Sequence, residues 1–268
     1  MVAGAASGAV SNAPPPLTRG VAAINPVAKL AAALLIAFTL ALSVDAVSAG
    51  LALMLELALL PFAGLSWSAF WRRTAPVWIA APLAGLTISL YGRASGHVYA
   101  SWLFVQVTDG SLHLALVTVL RVLAIALPAV VLFATVDATD LADGLAQVLH
   151  LPARFVLGGL AALRLTGLMR DDWRALELAR RARGVADRGR LRRFGGLAFA
   201  LFVLSIRRGS ALATAMEARG FGGEAARTWA RPSRLGPRDL LLIVLSVVVA
   251  AAAVLAAVAT GQWAFIGA

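Results

Sequence analysis

The fold class this chain predicts is an all-α integral membrane protein. About five transmembrane helices are expected, joined by long amphipathic helices on the cytoplasmic side. Three observations predict it. Of 268 residues, 60% are apolar and 14% charged, against about half and about a quarter in ordinary soluble domains. Mean hydropathy is +0.85, and apolar runs recur at lengths near the roughly 20 residues that cross a bilayer. The charge is gathered rather than spread: Asp137 to Arg238 holds 18 Arg and 9 acidic residues.

Taken in order, residues 1–20 are rich in Ala, Ser and Pro, with Arg19 their single charged side chain. No basic segment precedes an apolar run there, so a mobile tail is expected rather than a cleaved signal peptide. The first apolar run, Leu30 to Val44, follows Lys29 and ends at Asp45. The second covers Ala46 to Leu65, with Arg72 and Arg73 beyond it, and the third covers Ala75 to Tyr91. A mixed stretch from Gly92 to Gly110 leads to the fourth, Ser111 to Ala134. These make residues 21–134 the region of spans one to four. Leu240 to Ala259 carries no charge and is the clearest span; it places 237–268 as the last span and C-terminus, with Trp263 as an interfacial anchor.

Basic residues stay on the cytoplasmic side. Lys29, Arg72, Arg73 and the 135–236 region therefore lie inside, and Asp45 and the 92–110 stretch outside, with Arg93 the one exception. The N-terminus is inside and the C-terminus outside. Two further apolar stretches read as cytoplasmic helices. Phe155 to Met169 is interrupted by Arg164, and Gly195 to Ile206 is 12 residues between two Arg pairs. Spanning would put one of those pairs outside. Trp67, Trp71, Trp78 and Trp102 read as interfacial anchors.

Within the charged region, Thr139 or Asp140 reads as the N-cap of a short helix ending at His150-Leu151-Pro152. A long helix follows from Ala153, with Leu165, Leu168, Met169, Trp173 and Leu176 near one face. It closes at Ala182-Arg183-Gly184. A second long helix carries Leu201, Leu204, Leu212, Ala215 and Met216 and closes at Ala218-Arg219-Gly220. An Arg in a last turn before a helix-ending Gly is common for reasons of capping and dipole. Two such ends, 36 residues apart and each closing an amphipathic helix, are a pattern.

Function classes fall away on the same residues. Cys is absent, and His97, His113 and His150 lie far apart, so neither a metal site nor a cofactor is expected. No P-loop, Gly-x-Ser-x-Gly or His-acid metal motif marks an enzyme, and the adjacent Asp171 and Asp172 point to different helix faces. Acidic residues and apolar stripes interleave the Arg block, which argues against nucleic acid; anionic lipid headgroups are the natural secondary partner of its surplus. A self-contained permease is the alternative, but repeat-related halves with broken helices are not seen. Two charges at membrane depth, Glu56 and Arg121, each stand ten residues from the outer end of a span. A buried ion pair is expected between them, in preference to the alternative of a proton or ion relay, because no chain of acids or His continues from it.

The sequence resembles the transmembrane T component of energy-coupling factor (ECF) transporters, the EcfT/CbiQ family, over nearly the whole chain after the tail. The resemblance rests on Ile24-Asn25-Pro26-Val27-Ala28-Lys29-Leu30, Val107-Thr108-Asp109-Gly110, Asp137-Ala138-Thr139-Asp140-Leu141 and, above all, the two Ala-Arg-Gly ends, with Phe221 following the second. It implies a non-catalytic plasma-membrane subunit that links two ATP-binding-cassette ATPases of the EcfA type to a substrate-binding S component. It implies that the long helices are coupling helices, with Ala182, Arg183, Gly184 and Ala218, Arg219, Gly220 as the ATPase contacts. The substrate, a vitamin or a transition-metal ion, would be chosen by the S component.

Overall fold

The computed structural model describes residues 20–92, 95–102, 105–184, 189–223, 228–229 and 231–263. The expected tail and Arg93 lie outside the described residues. Along the chain run α1 (Pro26–Ala41), α2 (Ala46–Leu59), α3 (Trp67–Tyr91), β1 (Val98–Trp102), β2 (Val105–Thr108), α4 (Asp109–Phe133), α5 (Ala138–Gln147), α6 (Ala153–Ala182), α7 (Arg190–Ala218) and α8 (Pro237–Ala259). Two units divide them. One comprises the described residues of Met1–Ile24, Ala28–Val136 and Pro237–Ala268; the other comprises those of Asn25–Val27 and Asp137–Gly236.

In the first unit, polar side chains fix where the apolar helices start. The Asp45 carboxylate accepts the Ser48 N–H at 2.6 Å and the Ser48 hydroxyl at 2.8 Å, which caps α2. Thr108 and Ser111 form a capping box at α4. Between these ends the core is built from Ile36, Leu40, Leu53, Leu127 and Val249 around the small residues Ala52, Ala81, Ala124 and Ala253. Small residues let membrane helices approach closely. At Gly85 the approach of α3 to α4 is so close that a Cβ would stand 2.4 Å from Val119 Cγ2. Lys29 is 1% exposed, and its ammonium donates to Thr135 Oγ1 at 2.9 Å, tying α1 to the segment after α4.

Several boundaries differ from the sequence expectation for local reasons. α3 begins at Trp67 rather than Ala75, because Ser66 caps it and its first turns run through Arg72 and Arg73. Arg73 satisfies the Ala134 carbonyl near the end of α4, so the Arg pair sits on a helix and not in a loop. The 92–110 stretch holds the antiparallel hairpin β1–β2, with Val98 opposite Thr108 and Ala100 opposite Val107. Asp109 joins that hairpin to α4 by accepting the His97 N–H at 3.0 Å. Trp67, Phe70, Trp71 and Trp78 form a chain of rings with centroids 5.7–6.0 Å apart along the first half of α3.

Among the described residues, five helices are long and apolar enough to cross a membrane: Ala46–Ala63, Trp67–Tyr91, Asp109–Phe133, Leu191–Ala218 and Pro237–Ala259. Compared with the expected five, Leu191–Ala218 enters the set and Pro26–Ala41, of 16 residues, drops out. The apolar stretch before Ile206 belongs to a 29-residue helix whose uncharged continuation, 209–216, lengthens it.

The second unit holds α5, α6 and α7. The N-cap of α5 is Asp137, not Thr139 or Asp140: its Oδ1 accepts the Thr139 N–H at 2.7 Å and the Asp140 N–H at 3.4 Å. Those two hydrogen bonds hold the Asp137 carboxyl below the usual Asp range, most strongly through the Thr139 N–H. Asn25 accepts the Val27 N–H and donates to Ser233 Oγ at 3.0 Å, while Gln147 accepts the Ser233 N–H and donates to the Arg231 carbonyl. The segment leading to α8 is thereby held to α5. Gly144 is required there, since a Cβ would stand 2.6 Å from Val27 Cγ2.

Candidate coupling site at the ends of two charged helices

α6 and α7 pack along one stripe each. On α6 the half-buried positions include Leu165, Met169, Trp173 and Leu176; on α7 they include Leu201, Leu204, Leu212 and Met216. Leu168 and Ala215, assigned to the same stripes by periodicity, are exposed. The Trp173 and Phe194 rings meet at 5.7 Å. Arg193 of α7 pairs with Glu177 of α6, and Arg208 pairs with Asp172 at 2.6 Å. The Arg180 guanidinium lies over Gly196, where a Cβ would come within 2.8 Å of it.

These pairings fix the direction. From the Glu177–Arg193 pair to the Asp172–Arg208 pair the contact steps back along α6 and forward along α7, so the two helices run in opposite senses where they meet. Their C-terminal ends therefore point opposite ways.

The two ends share one construction. Arg183 and Arg219 are the C-cap residues, at φ −87° and −92°. Gly184 and Gly220 follow at φ +69° and +79°, a region open to glycine without a Cβ penalty. The Gly184 N–H returns to the Arg181 carbonyl at 3.0 Å and the Gly220 N–H to the Glu217 carbonyl at 2.9 Å. At α7 the Phe221 N–H also reaches the Met216 carbonyl, completing a Schellman closure. Ala182, Arg183, Gly184, Ala218, Arg219 and Gly220 are all exposed. Each Arg thus stands exposed at a glycine-closed helix end, and its fork of five donors suits carboxylates or carbonyls on another surface.

A family model described as cobalt transport protein, CbiQ, matches residues 19–229, which include both Ala-Arg-Gly ends. The chain belongs to the CbiQ family. It is also 30% identical, over 195 residues, to the energy-coupling factor transporter transmembrane protein EcfT of Limosilactobacillus fermentum (strain CECT 5716 / Lc40), covering 65% of this chain and 72% of that one. As a CbiQ/EcfT protein with five helices able to span, it is a multi-pass membrane component of an energy-coupling factor transporter.

The structure does not bring together the other expected pair of this CbiQ-family chain. Arg121 donates to the Ala41 carbonyl at the end of α1, whereas both Glu56 carboxylate oxygens are buried without a hydrogen-bond partner. Equal depth was the basis for pairing them, and depth leaves rotation about the helix axis open. Glu56 shares a cavity with Leu127 of α4. Arg121 is six residues from Leu127, about 120° away around that helix, so it faces elsewhere.

One feature escaped the sequence reading. Phe199, Phe202, Val203 and Ile206 form a second apolar stripe on α7, at 50–70% exposure. Their i, i+3, i+4, i+7 spacing was available as a signal. It was masked because the first stripe already accounted for an amphipathic helix.

Proposed function

We propose that this chain transmits ATP-driven motion from two cytoplasmic ATPases of the EcfA type to a substrate-binding S component, for uptake of a vitamin or a transition-metal ion. Arg183 and Arg219 are the ATPase contacts, one for each. The observation that carries the proposal is the matched construction of two exposed helix ends facing opposite ways on one antiparallel pair. Two separated ATPase subunits would be reached by such a pair, and closure of their nucleotide dimer would displace both ends together.

In this reading α6 and α7 lie on the cytoplasmic side. Arg192 and Arg193 stand near one end of the apolar part of α7, and Arg207 and Arg208 near the other; spanning would carry one pair across the bilayer against the positive-inside bias. The exposed stripe of Phe199, Phe202 and Ile206 is an area that a solvated helix would not leave uncovered, and the S component is its partner here. The chain itself holds no catalytic role, and hydrolysis belongs to the ATPases.

Affinity purification of the full chain from membranes in mild detergent tests this. Co-purification of two ATPase subunits and one small hydrophobic protein is expected. A chain that purifies alone and transports substrate by itself in proteoliposomes would reject the proposal in favour of a self-contained permease.

A further inference from the structure

Glu56 is 7% exposed, and neither carboxylate oxygen has a hydrogen-bond partner. An unpaired carboxylate among membrane helices is costly, and such groups take a counter-cation or a proton or mark a functional site. Glu56 lines a cavity of about 220 Å3 within the first unit, walled by apolar side chains such as Ile36, Leu53, Leu127, Val131 and Val249. Ser246 also lines it, but its hydroxyl is engaged with the Ile243 carbonyl at 2.8 Å. One other charged side chain is on the wall: Arg238, in the first turn of α8. Arg238 is exposed, and among the described residues no carboxylate stands within ion-pair distance of it.

We propose that this cavity is a headgroup site for a phospholipid bearing a primary ammonium beside its phosphate, of the phosphatidylethanolamine type. The ammonium donates to Glu56 inside the cavity, and the phosphate meets Arg238 at its mouth. Each unpaired charge then has its complement in one molecule, through the charge-assisted hydrogen bonds that are the strong ones. The size agrees. About 220 Å3 is room for several heavy atoms, the scale of a phosphoethanolamine group. Phe62 and Leu241 also line the cavity and are 79% and 69% exposed, giving the acyl chains an apolar surface at the same mouth.

Other occupants fit less well. A metal ion would find a single carboxylate, whereas hard cations take six or more oxygen ligands. A phosphate-only headgroup would answer Arg238 and leave Glu56 as it is. The site is independent of the ATPase contacts, so it stands or falls apart from the coupling role.

The test is lipid competition on the full chain, reconstituted in nanodiscs of equal parts phosphatidylethanolamine, phosphatidylglycerol and phosphatidylcholine, then transferred to detergent. Native mass spectrometry reads the lipid retained. The wild type is expected to keep one phosphatidylethanolamine, and Glu56→Gln to retain it roughly tenfold less. Arg238→Gln, at an exposed position, is expected to weaken retention without altering the fold. Phosphatidylcholine should not substitute, because its quaternary ammonium has no N–H to donate. Wild-type protein that keeps all three lipids alike, or none, overturns the proposal, and that comparison needs no variant. Unchanged retention in a folded Glu56→Gln protein overturns it as well.

Discussion

Arg193 of α7 donates to Glu177 of α6 through the same carboxylate oxygen, Oε1, that receives Arg181 from one turn further along α6 at 2.9 Å. One half-buried carboxylate thus serves its own helix and the facing one, close to the end that carries Arg183. Replacing Glu177 by Gln removes the charge from both pairs. The cost expected is about 1 kcal/mol, the scale of a partly exposed ion pair, seen as a lower melting temperature of the purified chain. The difference from wild type should shrink as salt is raised. Equal melting temperatures at low salt would show that the pair does not hold the helices.

Gly184 and Gly220 stand at φ +69° and +79° with no neighbour within 4 Å of a built Cβ. Space is therefore not the constraint, and backbone conformation is. Ala at either position is expected to cost about 1 kcal/mol, and Asn, which tolerates the left-handed region, to cost less. If Ala and Asn lowered the melting temperature equally, conformation would not be what glycine supplies there.

Asp137 caps α5 through the Thr139 and Asp140 N–H groups, so Asp137→Ala is expected to cost about 1 kcal/mol. Its carboxyl is held below the ordinary Asp value, chiefly by the Thr139 N–H. The capping contribution is therefore fully present above that value and is lost as pH falls through the lower, folded-state one. Melting temperatures of wild type and Asp137→Ala should differ at neutral pH and converge in acid. A gap that widens on acidification would contradict this assignment.

Phe202 lies in the middle of the outward stripe of α7, 62% exposed. Phe202→Asp is expected to leave the melting temperature nearly unchanged, since little is buried on this chain. Capture of the small membrane partner should fall by roughly tenfold or more, the scale of an aromatic interface anchor, while ATPase capture persists. Loss of the ATPases instead would assign the stripe to them.

Much of this arrangement was legible in the sequence because it depends on local rules. Composition and run length gave the class, and the Ala-Arg-Gly ends placed the corners of α6 and α7 to within a residue, since a glycine closing a helix is a backbone requirement. What escaped was set by tertiary geometry. Counting residues along α2 and α4 put Glu56 and Arg121 at one depth but could not orient the two helices about their axes. Lys29 read as a topology marker, whereas it is buried and donates to Thr135. The hairpin around Val98 and Thr108 was hidden in a short mixed stretch where propensity is a weak guide.

Arg183 and Arg219 bear the proposed contact with the ATPases. That contact is tested most directly by Arg183→Glu and Arg219→Glu, singly and together, in the full chain co-expressed with its partners, reading ATPase co-purification and substrate uptake side by side. Each single variant is expected to weaken ATPase capture and cut uptake at least tenfold, a reversed charge in a contact being worth 2 kcal/mol or about that, and the double variant to purify without ATPases while the S component stays bound. Normal assembly together with normal uptake in the double variant would contradict the account.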